Sequence, residues 1–210
     1  MRATRGYISA QQYCYRATVV KVINRSTVIL DVDLGFKIFK LNQKFKILSI
    51  NEHQYKSKAI NAKYKVLRFI KPHDKIVITS QQIRSKVYCE IMTDILPKEL
   101  YHYSSKMYKI VDGDTIDVEL DLGFSTHYIE RFRLYGIDAW ETRGEEKPRG
   151  LEAKSRVIEL LPVGSSLLTK TYKDSKGKYG RYLGDFFIDN EPRSLNRILV
   201  EEGHAIWKQY

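Results

Sequence analysis

The chain is poor in the features that mark stapled or membrane-embedded proteins. It has two cysteines, Cys14 and Cys89, in 210 residues. They stand far apart in no metal-ligand spacing, so they read as reduced structural thiols rather than a disulfide framework. No apolar run approaches the ~18 residues of a membrane span, which gives the expectation of no membrane partner. The opening MRATRGYISAQQYCYR carries charge but no apolar stretch of the kind a secretory signal needs. The expectation from these absences is an intracellular, cytoplasmic protein. Acidic residues are scarce in one half only. Residues 1–105 hold 19 Lys and Arg against 7 Asp and Glu, and residues 106–210 hold 17 against 18. A basic half beside a nearly neutral one favours a polyanionic partner, most often nucleic acid.

What is present is organised around one run. KIVDGDTIDVELDLGF starts at Lys109 and RFRLYGIDAWET ends at Thr142. Apolar Tyr108, Ile110 and Val111 meet the tight acidic turn Asp112-Gly113-Asp114-Thr115. Residues 116–122 then alternate apolar with acidic, the period of a strand with one apolar face. The pattern reads as strand, glycine turn, strand, with carboxylates at the tip. A second strand, roughly Ile129 to Ile137, sets Arg133 among apolar residues and delivers Asp138 and Glu141 at its end. Clustered carboxylates repel unless a cation neutralises them, and such hard oxygen ligands suit Ca²⁺ or Mg²⁺.

The N-terminal half repeats this pattern at an offset of 88. Lys21-Val-Ile-Asn-Arg-Ser-Thr27 aligns with Lys109-Ile-Val-Asp-Gly-Asp-Thr115, and Asp33-Leu34-Gly35-Phe36 with Asp121-Leu122-Gly123-Phe124. With one residue removed, Phe45-Lys46-Ile47 meets Phe132-Arg133-Leu134. The copies differ in chemistry: Asp112 becomes Asn24, Asp114 becomes Ser26, Asp138 becomes Asn51, and Glu141 falls opposite Gln54. Arg133 becomes Lys46, and Arg181 falls opposite Lys86. A divalent ion loses its charged ligands, and a lysine cannot grip a phosphate with a planar fork. The first copy reads as a barrel without the chemistry, suited to holding nucleic acid through phosphates. Its candidate contacts are Lys21, Lys37, Lys40, Lys44, Lys46 and Lys86.

The motif set of the second copy resembles the staphylococcal nuclease (thermonuclease) family. The residues that carry the resemblance are Asp112-Gly113-Asp114-Thr115, Phe132-Arg133-Leu134, Ile137-Asp138-Ala139-Trp140-Glu141-Thr142, Lys178-Tyr179-Gly180-Arg181, and the run from Ser194 to Gly203. One departure is Ala139-Trp140 where the family commonly has Thr-Pro before the glutamate. The resemblance implies a nuclease core over residues 106–210 that cleaves phosphodiesters of DNA and RNA with weak sequence preference. It implies Ca²⁺ as cofactor, with Mg²⁺ or Mn²⁺ as alternatives, held by Asp114, Asp138 and the main-chain carbonyl of Ala139. It implies Arg133 and Arg181 as phosphate clamps and Glu141 as the group that positions or activates water. Asp112 is expected either to support the metal ligands from behind or to shape the hairpin.

The resulting expectation is a β-rich α+β protein of two tandem OB-type five-stranded barrels with short packed helices. Residues 1–15 form a basic aromatic arm that either contacts nucleic acid or packs as a strand extension. Residues 16–95 form the degenerate barrel, including a helix over 60–70. Residues 96–105 form a linker, and 106–210 the catalytic domain, with helices over 151–161 and from Pro192 to Gly203. His127 and His204 read as structural. The rival function is a nucleic-acid-binding protein of two barrels with weak or no catalysis; a protein-interaction scaffold ranks behind it.

Overall fold

In the computed structural model the described residues are 13–24, 26–51, 70–83, 86–92, 100–172 and 182–209. The chain divides into two compact units, with the boundary between Tyr101 and His102. The first unit contains β1 (Tyr13–Asn24), β2 (Thr27–Asp33), β3 (Phe39–Asn51), β4 (Lys75–Ile83) and β5 (Lys86–Met92). They close a barrel in the order β1-β2-β3-β5-β4. The second unit contains β6 (His102–Asp112), β7 (Thr115–Asp121), β8 (His127–Leu134), β9 (Ile137–Ala139), α1 (Lys147–Leu160), β10 (Ser166–Tyr172), β11 (Tyr182–Ile188), α2 (Leu195–Glu201) and β12 (Ala205–Trp207). Its barrel runs β6-β7-β8-β11-β10, the same topology. In each barrel the parallel pairing falls at the same place, β3 with β5 and β8 with β11. Two closed five-stranded barrels with few short helices meet the expected fold class.

Alternation builds both cores. Val28, Leu30 and Val32 of β2 are fully buried, and so are Ile116, Val118 and Leu120 of β7 at the same offset. Phe45 and Phe132 fill equivalent positions, and Tyr15 and Tyr103 lie buried 88 residues apart. One core pair differs in kind. Ala17 lies diagonal to Ile78 in the first barrel, whereas Ser105 and Thr169 at the matching places share a hydrogen bond at 2.5 Å. Burying those two hydroxyls is tolerable because each finds a partner.

The shared DLGF marks one turn built twice. Asp33 Oδ1 accepts from Gly35 N at 2.9 Å, and Asp121 Oδ1 from Gly123 N at 2.8 Å. The next three residues take left-handed φ in both copies: Gly35, Phe36 and Lys37, and Gly123, Phe124 and Ser125. Glycine leads because that region penalises a Cβ. The single extra residue of the first copy is a β-bulge. Between the pairs Leu30–Gln43 and Val32–Lys40, Leu41 and Asn42 face Asp31 alone. Asn42 takes φ 55 and its N–H donates to Asp31 Oδ1 at 2.7 Å.

Several boundaries move. Residues 102–105, read as part of a linker, belong to β6: Tyr103 and Ser105 point into the core, and Ser105 Oγ donates to Leu167 O at 3.1 Å. The strand read over Ile129 to Ile137 splits into β8 and β9 around Tyr135-Gly136, where Gly136 has φ +75. Helix α1 starts at Lys147, with Pro148 in its first turn. Helix α2 starts only at Leu195, because Ser194 is its N-cap and accepts from Arg197 N. Of the helix read over 60–70 only Ile70 is described, buried and not helical; residues 60–69, and the arm over 1–15 up to residue 12, lie outside the described residues. Cys14 and Cys89 are buried thiols; burial pushes Cys89 up to about 12. No described helix is long and apolar enough to cross a membrane.

Candidate active site

The turn between β6 and β7 holds the acidic tip because its backbone is fixed from three sides. Asp112 Oδ1 accepts from Gly113 N at 2.9 Å, and its Oδ2 from Thr142 Oγ1 at 3.4 Å. Asp112 thus ties the hairpin to the loop beyond β9. Leu134 N donates to Asp114 O at 2.9 Å, locking the tip to β8. A Cβ on Gly113 would stand 3.0 Å from Ala153 Cβ and 3.1 Å from Ala139 Cβ, so the turn packs between α1 and β9. Gly150 is tighter still: a Cβ there would meet Glu141 O at 2.3 Å. Helix α1 therefore supports both the acidic turn and the loop of Glu141 through two small residues.

Asp114, Arg133 and Asp138 come together. Asp114 is buried, with its Oδ1 accepting from Thr115 Oγ1 at 2.9 Å. Its Oδ2 pairs with Arg133 Nη2 at 2.8 Å. The same Nη2 pairs with Asp138 Oδ1. Asp138 Oδ2 pairs with Lys208 Nζ at 2.8 Å. Lys208 arrives because β12 pairs antiparallel with β9, setting Ile206 opposite Asp138, and because Lys208 N donates to Gly136 O at 2.7 Å. Two carboxylates thus converge on one guanidinium nitrogen, and a lysine closes the far side.

The other expected residues stand differently. Ala139 lies in β9 opposite Ala205. Glu141 is exposed; its N–H donates to Glu146 Oε2 at 3.3 Å, and among the described residues no ion pair joins its carboxylate to the cluster. Trp140 Nε1 donates to Gly203 O at 3.3 Å and Arg149 stacks 3.8 Å over its ring, so this tryptophan anchors the loop to the end of α2. Arg181 lies outside the described residues. His127 and His204 sit near Glu119 and Glu202 at 3.6 and 4.0 Å, away from the cluster.

The first barrel presents the same pole without the charges. Ile47 N donates to Ser26 O at 3.0 Å, the counterpart of Leu134 N to Asp114 O. Ser26 N donates to Asn24 Oδ1 at 3.0 Å. Lys46 stands opposite Thr27 as Arg133 stands opposite Thr115. The parallel register pairs Lys46 with Tyr88 and Arg133 with Leu183, so Lys86 and Arg181 each precede their register residue by two in sequence. Gln54 lies outside the described residues. Lys21, Lys44 and Lys46 are exposed, and Lys21 and Lys44 flank Ile29 in one cross-strand row. Lys37 and Lys40 do not join them. Lys40 pairs with Val32, three residues along β2 from Ile29 and five from Thr27, about 10 and 17 Å at the usual rise, and Lys37 lies in the turn beyond it.

Thr115, Thr142 and Lys208 were not singled out from sequence. Thr115 and Thr142 close the two motifs that carry the carboxylates, which is a usable signal. Lys208 lies 70 residues from Asp138, and nothing local marks it.

The pole of the second barrel thus carries a convergent Asp–Arg–Asp cluster, and in the first barrel, of the same topology, Ser26 and Lys46 stand at the places of Asp114 and Arg133. Residues 131–210 match the family described as staphylococcal nuclease homologue, and this stretch is a staphylococcal-nuclease-like domain. The match takes in Arg133, Asp138, Glu141 and Arg181. The chain is 28% identical over 126 residues to an uncharacterized protein of Methanocaldococcus jannaschii, covering 50% of this chain and 58% of that one. Among solved structures it is similar to a multidomain protein with nucleic acid binding domains from Streptococcus pneumoniae, at 11% identity and a TM-score of 0.25. That similarity covers 81% of this chain and 44% of the other.

Proposed function

We propose that this protein is a divalent-cation-dependent nuclease that hydrolyses phosphodiester bonds of DNA and RNA with little sequence preference. Its first barrel holds the nucleic acid. The observation that carries the reading is the convergence of Asp114 and Asp138 on Arg133, set against a first barrel that keeps the backbone and lacks all three groups. Among the described residues no three acidic, His or Cys side chains form a closed metal cage. The donor set nevertheless fits a hydrated Ca²⁺: two hard carboxylates already gather around one positive centre, leaving water to fill the shell. Asp114, Asp138 and the Ala139 carbonyl would hold the ion, which supplies charge stabilisation at the phosphoryl oxygens.

The protein's own groups do the rest. Arg133 presents a guanidinium fixed by its neighbours, so little reorganisation is needed to meet the charge that grows on phosphate. Arg181 adds a second guanidinium on the same reading. Glu141 reaches solvent from a loop packed on Gly150, where a carboxylate orients or deprotonates an attacking water. Lys21, Lys44 and Lys46 hold the phosphates of the strand without reading its bases. The exposed carboxylate of Glu141, which joins no ion pair with the cluster among the described residues, favours a second reading, a two-barrel binder that cuts nothing.

Cleavage of plasmid and single-stranded DNA in Ca²⁺, Mg²⁺ or EDTA separates the two. Ca²⁺-dependent cutting that falls about 10²–10⁴-fold in Glu141→Gln and Arg133→Ala supports the nuclease. Binding without cutting in any metal, unchanged by either substitution, leaves the binder.

A further inference from the structure

All four carboxylate oxygens of the cluster are engaged by the protein itself. Asp114 Oδ1 takes the Thr115 hydroxyl, Asp114 Oδ2 and Asp138 Oδ1 share Arg133 Nη2, and Asp138 Oδ2 takes Lys208 Nζ. Two negative charges meet two positive ones, so these four side chains carry no net charge toward a phosphate. A divalent ion can take Asp114 Oδ1 from a neutral hydroxyl, but on Asp138 either oxygen it takes is already in contact with a cation that it must compete with. The two cations differ in how firmly they are held. Arg133 emanates from the barrel strand β8 and its side chain is 24% exposed, whereas Lys208 follows the three-residue strand β12 and its side chain is 42% exposed. A lysine is also a point charge on a flexible stem, which leaves a carboxylate more easily than a guanidinium held by two.

We infer that Lys208 is a built-in competitor of the metal ion for Asp138, so that the C-terminal strand sets how readily the site loads. The inference rests on the metal reading of the cluster. Exchange has a consequence for substrate. With the ion bound and Lys208 released, the same residues plus the ion carry two net positive charges, and the freed ammonium is available to a phosphate oxygen. The site thus gains its attraction for the nucleic-acid backbone only after the ion arrives. Lys208 acts through Asp138 and is a positioning residue for loading.

The test is calorimetric titration of CaCl₂ into the intact protein, comparing wild type, Lys208→Met, Asp138→Asn and Lys106→Met. Lys106 is an exposed lysine on β6 and controls for loss of one positive charge. The backbone bond from Lys208 N to Gly136 O survives the Met substitution, and Lys208→Gln with a melting curve serves as a second variant. The expected result is Ca²⁺ binding about fivefold tighter in Lys208→Met and Lys208→Gln, the scale of one exposed ion pair. Lys106→Met should match wild type, and Asp138→Asn should lose binding. Unchanged or weaker binding in both Lys208 variants overturns the inference alone, as does equal tightening in Lys106→Met. Absence of Ca²⁺ binding in every protein overturns the metal reading and the inference with it.

Discussion

The two barrel poles share a backbone and differ in their side chains. Ser26 and Asp114 each accept from the strand opposite through the main-chain carbonyl, and Thr27 and Thr115 each face the basic residue of the third strand. The hairpin closes equally well with Asn24 and Ser26 as with Asp112 and Asp114. The fold therefore does not require the carboxylates of the second pole, and holding like charges together costs stability unless cations offset them. The proposed function gives a use to two aspartates at a place where the same architecture works with neutral residues. The comparison also shows how local volume is traded: Gly184 accommodates Phe186, whose Cζ would lie 2.7 Å from an added Cβ, while Cys89 and Ile91 occupy the matching places.

The largest expected effect comes from making the second pole resemble the first. Arg133→Lys, which copies Lys46, should lower cleavage about 10²-fold or more because an ammonium cannot replace the fork at phosphate. Its melting temperature should stay close to wild type; equal activity would show that the pole does not need the guanidinium. Next come the paired cores. Phe45→Ala and Phe132→Ala should each destabilise their own barrel by about 3–5 kcal/mol, read as two separable transitions in thermal unfolding. A single transition shifted alike by both would show that the two units unfold together.

Gly150→Ala should disturb the second pole without removing any charged group. The added methyl meets the Glu141 carbonyl, so the helix or the loop must shift, with an expected cost of about 1–3 kcal/mol and a loss of cleavage larger than that of binding. The smallest effect is on acid stability. Hydrogen bonds from Arg156 hold Glu202 below the usual carboxylate range, and those from Arg197 and Arg193 do the same for Glu201. A depressed folded value means stability that is present above the ordinary value of 4.5 and lost as pH falls through the lowered one. Acid melting of Arg156→Gln should therefore differ from wild type at neutral pH and converge with it at low pH.

The repeat and the acidic tip were legible because turns leave residue signatures: DLGF needs a glycine entering left-handed φ, and DGDT needs a small residue between two carboxylates. The β6 boundary was misplaced although the sequence held a clue, since Tyr103 sits at the offset that carries Tyr15 into the first core. Lys208 and the packing of Gly150 and Ala153 were not legible. They depend on contacts across long separations between residue types that are common on any surface or helix. Period-2 spacing puts Lys44 and Lys46 on one face, while nothing local in the sequence marks the length of the β2–β3 hairpin, which parts Lys37 from Lys46.

The most direct test of the comparison is the double variant Asp114→Ser with Asp138→Asn, which installs the first barrel's residues at the second pole. Its cleavage of single-stranded DNA in Ca²⁺ would be measured beside its melting curve. The account predicts a folded protein that still binds DNA through its first barrel and no longer cuts it. Cleavage at the wild-type rate by the folded variant would contradict it, because the chemistry would then lie elsewhere.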